Sequence, residues 1–151
     1  MTKEEEALLK EELTLLLIDR PEAGAFVWAY CDYIHAIDDI IDEKITDPER
    51  LLRVFAQGAA LFSSRFYREY GDQLYLIEAL INNDYADSVA WEKSDVKWKR
   101  ENADVLRHSG SLMLYAIIFL LKGRDALRSI SAKVREHNYI KHHKEGTDEP
   151  I

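Results

Sequence analysis

The stretch PEAGAFVWAYCDYIHAIDDIIDEK, residues 21–44, decides the fold class of this chain. Its apolar residues recur three and four positions apart, which is the spacing of one face of an α-helix. These residues are Val27, Tyr30, Ile34, Ile37 and Ile41. Pro21 suits the first position of a helix, where its missing N–H group leaves no hydrogen bond unmade. The stretch therefore predicts a long amphipathic helix with this apolar face against the core.

Helical periodicity continues along the rest of the chain, and no segment shows the alternation of a half-buried strand. The other predicted helices are residues 3–18, 48–70, 73–92, 96–122 and 125–142. Asp47 or Thr46 caps the third helix and Gly71 ends it, while Gly123 separates the last two. Short connections between long helices predict a single all-α bundle of about six helices over residues 1–144. The polar end, 145–151, predicts a flexible tail.

Length and charge exclude several classes of protein. A chain of 151 residues fits one domain, and its net charge of −8 disfavours nucleic acid as a partner. The single cysteine, Cys31, and the acidic N-terminus predict a cytoplasmic protein without an export signal. The longest apolar run, LMLYAIIFLL at 112–121, has about half of the roughly 20 residues that a membrane span needs. We therefore expect no membrane span, and a buried helix at the centre of the bundle.

The first predicted helix carries a broad leucine face surrounded by charged residues. That face consists of Leu8, Leu9, Leu13, Leu16 and Leu17. Because a small bundle has few faces left to cover it, we expect a homodimer with the first or third helix at a symmetric interface. The alternative is that the first helix closes its own bundle.

Acidic residues cluster at the end of residues 21–44. A helical wheel places Asp32, Asp39 and Glu43 on the far, solvated side. Asp38 and Asp42 lie at the boundary of the core and are one turn apart, so their carboxylates repel each other unless a cation or a basic side chain lies between them. The structural alternative is an acidic helix end whose charges are balanced by Lys44, Arg50 or Arg53.

The stretch NDYADSVAWE, residues 83–92, places three oxygen-bearing side chains along one helix face, at i, i+4 and i+8. Asp84 and Ser88 lie near the middle of the apolar side, and Glu92 lies at its edge. Burying an ionised carboxylate without a partner is costly, so inward acids indicate a cation, a basic partner or a water-filled cavity. Arg65 or Arg107 is the alternative partner.

Together the two clusters predict a divalent-cation site between two helices. Its ligands would be Asp38, Asp42, Asp84, Ser88 and Glu92. Oxygen ligands with few nitrogen or sulfur donors favour Mg²⁺, or else Mn²⁺, over zinc or iron. Mg²⁺ commonly joins carboxylates to substrate phosphates, so we expect a diphosphate-containing small molecule as the partner. The sequence identifies no catalytic residue.

The motif DDIIDE, residues 38–43, resembles the first aspartate-rich motif of class I isoprenoid synthases. The longer stretch YIHAIDDIIDEKITDPERLLRVF, residues 33–55, resembles the squalene/phytoene synthase version, and 84–92 has the spacing of the second metal motif of class I terpene cyclases. The resemblance implies that the chain binds a prenyl diphosphate through Mg²⁺ ions. Their ligands would be Asp38, Asp42, Asp84, Ser88 and Glu92. A second resemblance is to all-α nucleoside-triphosphate pyrophosphatases, which have pairs of acidic residues three positions apart on two helices. The pairs Asp39 with Asp42 and Asp84 with Asp87 are similar in spacing.

Two classes of function follow. The chain is either a Mg²⁺-dependent enzyme that ionises a prenyl diphosphate or hydrolyses a nucleotide, or a non-enzymatic acidic helical module that binds a protein. In the second class the same acids are salt-bridge partners.

Overall fold

The computed structural model describes the backbone of residues 3–145 and the side chains of residues 7–138. Over that range the chain is helical with no β-strand, so the predicted all-α bundle of about six helices is confirmed. The elements are α1 (Lys3–Leu16), α2 (Pro21–Asp42), α3 (Pro48–Phe62), α4 (Arg65–Trp91), α5 (Lys97–Arg107), a short 3-10 helix η1 (His108–Gly110) and α6 (Ser111–Glu145). Most of the predicted tail, 146–151, lies outside the described residues.

The boundary between α3 and α4 differs from the prediction. The third helix does not continue to Tyr70, because Phe62 ends it and the Ser64 hydroxyl accepts a hydrogen bond from the backbone N–H of Tyr67 at 3.2 Å. This serine caps a new helix that runs through Gly71 without interruption. The start of α3 is as predicted, since the Asp47 carboxylate accepts a hydrogen bond from the Arg50 N–H at 3.0 Å.

The predicted fifth helix is also divided, because HSG at 108–110 forms η1 between α5 and α6. Within α6, Gly123 has a φ of 82° and interrupts the helix, where the sequence predicted a separation. The two arms, 111–122 and 124–145, fold back on each other. The Tyr115 hydroxyl donates to the Ser131 carbonyl at 3.2 Å, and the Asn138 amide donates to the Ser111 hydroxyl at 2.8 Å.

We predict that Gly123→Ala destabilises the protein by about 1–2 kcal/mol, because an L-residue pays that cost at positive φ. Empty space surrounds the position of the added Cβ, so the cost comes from the backbone and not from a steric clash. Chemical denaturation measures it, with Ala132→Gly as a comparison for the helix interior. A Gly123→Ala variant as stable as the parent would show that the turn tolerates a side chain.

The core forms where α2, α4 and the first arm of α6 meet. The largest fully buried apolar side chains are Tyr30, Phe66, Leu74, Met113, Ile117, Ile118 and Ile130. The first arm of α6 supplies three of them, as expected for a central helix. However, Phe119 and Leu120 are exposed, so this helix is not enclosed on every side. Ile41, predicted on the core face of α2, is also exposed because α2 ends beyond the core.

The leucine face of α1 packs within the protein's own bundle. Leu9, Leu13 and Leu17 are buried in the core, whereas Leu8 is exposed. Two ion pairs join this end of the chain to α6, from Lys133 to Glu12 at 2.7 Å and from Lys122 to Asp19. The alternative considered for this helix, closure of its own bundle, is thus what the structure describes.

By length and composition alone, one helical stretch of the described chain, Lys97–Asn138, could cross a membrane. In the structure, 28% of the apolar 18-residue segment that meets these criteria is buried. The stretch also includes η1 and the reversal at Gly123. The core helix of a protein in water meets the same criteria, so the expected absence of a membrane span stays a prediction.

Candidate functional site

Arg107 joins the two predicted acidic clusters. It lies at the end of α5, which packs along α4, and its guanidinium contacts Glu92 at 2.6 Å and Asp42 at 3.6 Å. Burial opposes the positive charge of Arg107, but the carboxylates of Asp38, Asp42 and Glu92 outweigh it and raise its pKa. The structure therefore brings acids from α2 and α4 to one place, with an arginine between them.

Asp38 lies beside this ion pair and faces a cavity. Its carboxylate accepts a hydrogen bond from the Tyr85 hydroxyl of α4. Burial raises the pKa of Tyr85, and the hydrogen bond to Asp38 raises it further. Tyr85 is thus held in its neutral, donating form at physiological pH.

The other two predicted ligands are arranged differently. Ser88 is fully buried, but its hydroxyl donates to the Tyr85 carbonyl of its own helix at 2.7 Å. Asp84 is half-buried one turn earlier on α4. Among the residues whose side chains are described, no three His, Cys, Asp or Glu side chains are grouped so that they could hold a metal ion. Mg²⁺ or Mn²⁺ binding at these residues stays a prediction.

The outer acids of α2 are surface residues, as the helical wheel predicts. Asp32, Asp39 and Glu43 are exposed. Arg50 contacts Asp39 at 3.6 Å and Glu43 at 3.1 Å, and it is one of the basic partners that the sequence offers. This half of the acidic helix end forms solvated ion pairs, which contribute little to stability.

Next to Arg107 the bundle contains a cavity of about 480 Å³. Its walls come from α1, α2, α4, α5, η1 and α6. The apolar walls include Leu9, Val27, Trp28, Ile81, Met113 and Leu114, and the polar lining includes His35, Asp38, Asn82, Tyr85, Arg107, Ser109 and His137. Of the five predicted site residues, only Asp38 lines the cavity.

No sequence pattern predicted that η1 and the second arm of α6 contribute to this cavity. HSGS at 108–111 lies within the predicted helix 96–122, and His137 lies within the predicted helix 125–142. Cys31 also lines the cavity, and burial raises the pKa of its thiol to about 11, so it is a neutral wall residue. These positions come together only through the packing of segments that are far apart in the sequence.

A further carboxylate, Glu78 of α4, lies among aromatic residues outside both predicted clusters. The Asn82 amide donates to it at 3.3 Å, and Tyr30 is close by without forming a hydrogen bond of ordinary geometry. Burial raises the pKa of Glu78, and the neighbouring donors offset only part of the shift. Ionised Glu78 therefore weakens the native state.

We predict that Glu78→Gln raises the Tm at pH 7. Because the folded-state pKa lies above the ordinary value of 4.5, the ionised form costs stability as the pH rises through that value, and the cost is complete above the folded-state pKa. The difference in Tm should disappear below about pH 4. Thermal melts over this range measure it, with the exposed Glu49→Gln as the control. A Glu78→Gln variant less stable than the parent at pH 7 would contradict the prediction.

Comparison of the chain with protein-family models, with curated proteins and with solved structures finds no match. The fold and the site therefore have to be interpreted from this chain's own residues. The resemblance to isoprenoid synthases stays a prediction from its motifs.

Proposed function

We propose that the protein binds a small molecule in the cavity, with an apolar part between the helices and a polar head near Asp38, Tyr85 and Arg107. The observation that supports this is a cavity of about 480 Å³ that is mainly apolar and has charged groups at one edge. Small-molecule sites typically measure about 300–1,000 Å³ and combine apolar walls with a few polar groups.

For the head group, a diphosphate accompanied by Mg²⁺ is the version that the sequence motifs favour. Three carboxylates, from Asp38, Asp42 and Glu92, surround one arginine, so the edge of the cavity is negative overall. An anionic head would be repelled there unless a cation came with it. In the described arrangement Arg107 holds Asp42 and Glu92, so a bound ion would have to displace it from them.

The direct test is calorimetric titration with geranyl diphosphate and with ATP, each with and without millimolar Mg²⁺. We expect binding that needs Mg²⁺ and that weakens at least tenfold in Asp38→Asn. The matched control is Asp39→Asn. Asp39 follows Asp38 in the sequence, but its carboxylate is exposed and pairs with Arg50. If neither geranyl diphosphate nor ATP binds, with or without Mg²⁺, the proposal is contradicted. Release of phosphate or pyrophosphate would separate an enzyme from a binding protein.

Mg²⁺ alone supplies a second measurement. An ion that binds only the native state raises stability by mass action, by about 1.4 kcal/mol at ten times its Kd. We therefore expect millimolar Mg²⁺ to raise the Tm and Asp84→Ala to reduce that rise. An unchanged Tm together with a stabilising Asp84→Ala would show that the two acidic clusters do not form a cation site.

A non-enzymatic module that self-associates is the second candidate, and the outer face of α3 favours it. Leu52, Phe55, Ala56 and Ala59 are all exposed and lie at i, i+3, i+4 and i+7. Such a stripe normally faces a partner helix. In an antiparallel pair of α3 helices the large residues would face the small ones, with Phe55 opposite Ala56 and Leu52 opposite Ala59. This self-complementarity suits a two-fold homodimer.

We predict that sedimentation at micromolar concentration gives about twice the chain mass of 17.6 kDa. Phe55→Glu should produce the monomer without unfolding it, because Phe55 is 75% exposed and contributes little to the core. Arg53→Glu, on the flank of the same helix, is the control and should leave the mass unchanged. A parent protein that sediments as a monomer would refute the homodimer.

A further inference from the structure

Ser109 and His137, which line the cavity, each have a buried polar atom without a hydrogen-bond partner among the described residues, as does Tyr30, whose hydroxyl lies close to Glu78. Ser109 of η1 is 8% exposed, and its hydroxyl oxygen is fully buried and unpaired. The Nδ1 atom of His137, on the second arm of α6, is likewise buried and unpaired. Leaving such a group without a hydrogen bond is unfavourable, so each calls for a partner from beyond the described residues.

Two other polar side chains at this end of the α6 hairpin, Ser111 and Asn138, are already paired. The Ser111 hydroxyl donates to the His108 carbonyl at 3.0 Å and accepts from the Asn138 amide at 2.8 Å. Because this second bond joins the start of the first arm to the second arm, it places Ser109 and His137 at the same end of the hairpin. The two unpaired atoms therefore lie at this end of the hairpin, in the wall of the cavity.

We infer that the molecule bound in the cavity carries one neutral hydrogen-bonding group, such as a hydroxyl, carbonyl or amide, that pairs with Ser109 and His137. The inference rests on the proposed function, since it concerns the same cavity. A serine hydroxyl and a neutral imidazole can each donate or accept, so both match a neutral polar group. A charged group is disfavoured because its desolvation in an apolar wall is too costly. A plain hydrocarbon chain would leave both atoms unpaired.

The ligand class that follows is an apolar body with an oxygen or nitrogen substituent in addition to the head. Between the two kinds of diphosphate that the sequence motifs suggest, this favours a body with heteroatoms, as in a nucleoside or an oxygenated isoprenoid, over an unsubstituted prenyl chain. A site built to pair a substrate group discriminates strongly against the analogue that lacks it.

The test uses 2-naphthol and 2-methylnaphthalene, which have nearly the same shape but differ in one hydrogen-bonding group. Both can be titrated by NMR of protein labelled at the methionine methyl groups. Met113 lines the cavity and the only other methionine is Met1, so a shift of the Met113 signal locates the probe. We expect 2-naphthol to bind about three- to tenfold more tightly than 2-methylnaphthalene, the contribution of one hydrogen bond.

Ser109→Ala should reduce this preference, because only His137 remains to pair with the hydroxyl, and it should leave the affinity for 2-methylnaphthalene unchanged. Ser129→Ala, at an exposed serine of α6 whose hydroxyl donates within its own helix, should leave the preference intact. Equal binding of the two probes to the parent protein, or a preference that Ser109→Ala does not reduce, would overturn the inference and assign the two atoms to a buried water alone. If neither probe moves the Met113 signal, the cavity site of the proposed function fails, and the inference fails with it.

Discussion

Phe66→Ala is expected to lower the free energy of unfolding by about 3–5 kcal/mol, the range found for removing a buried phenylalanine ring. Phe66 follows directly on the first residue of α4 and is 1% exposed. Its ring lies 5.2 Å from that of Phe26 on α2 and 5.0 Å from that of Tyr70 on α4, measured between centroids. The substitution would leave a void between two helices that border the core, and these helices also carry the acids of the candidate site.

Urea denaturation measures this loss, and Phe119→Ala is the matched control. Phe119 is the same residue type on a central helix, but its side chain is exposed, so its truncation should cost less than about 1 kcal/mol. A loss at Phe66 no larger than the loss at Phe119 would show that the aromatic contacts between α2 and α4 do not stabilise the bundle. A loss of the predicted size would confirm that the Phe66 ring is packed in the core.

The boundary between α3 and α4 shows where helical periodicity is insufficient. Periodicity and a glycine suggested that the third helix ends at Gly71, because glycine commonly ends helices. The chain instead breaks at Ser63 and Ser64, where a hydroxyl caps the next helix, and Gly71 packs inside α4 with its Cα region facing the Tyr67 ring. Apolar spacing on both sides of the two serines is compatible with one helix or two. Tertiary packing of the aromatic side chains decides between them.

Gly123 was predicted correctly because its requirement is local. A break in a helix at positive φ needs a residue without a Cβ atom, and the sequence provides one between two helical patterns. Asp47 before Pro48 is predictable for the same reason, since a cap depends on residues within one turn.

The candidate site was predictable only in part. The wheel correctly placed Asp38 at the boundary of the core and Asp39 on the surface, because both positions follow from helix geometry. Arg107 was one of two arginines named as partners, and the structure selects it because α5 lies along α4. The cavity could not be predicted, because its walls come from six elements whose relative positions are set by packing. The spacing of Ser109 and His137 in the sequence carries no sign that both would line it.

Arg107→Met is expected to cost about 1–3 kcal/mol, the usual cost of losing a hydrogen bond to a charged group at a partly buried position. The side chain of Arg107 is 20% exposed, and the methionine keeps an apolar stem of similar length while it removes the charge. The carboxylates of Asp38, Asp42 and Glu92 would then lie close together with no positive charge between them. Arg53→Met is the control, because Arg53 pairs with Glu49 on the exposed face of α3 and should cost less than about 0.5 kcal/mol.

The same variant separates the two interpretations of the acids. If they serve only as partners of Arg107, Mg²⁺ should not restore the lost stability. If they are able to hold a divalent cation, the ion no longer competes with the guanidinium, so millimolar Mg²⁺ should raise the Tm of Arg107→Met more than that of the parent. Thermal melts of both proteins and of Arg53→Met, with Mg²⁺ and with an equal ionic strength of NaCl, distinguish specific binding from screening. An equal response of all three proteins to the two salts would assign the acids to structure alone.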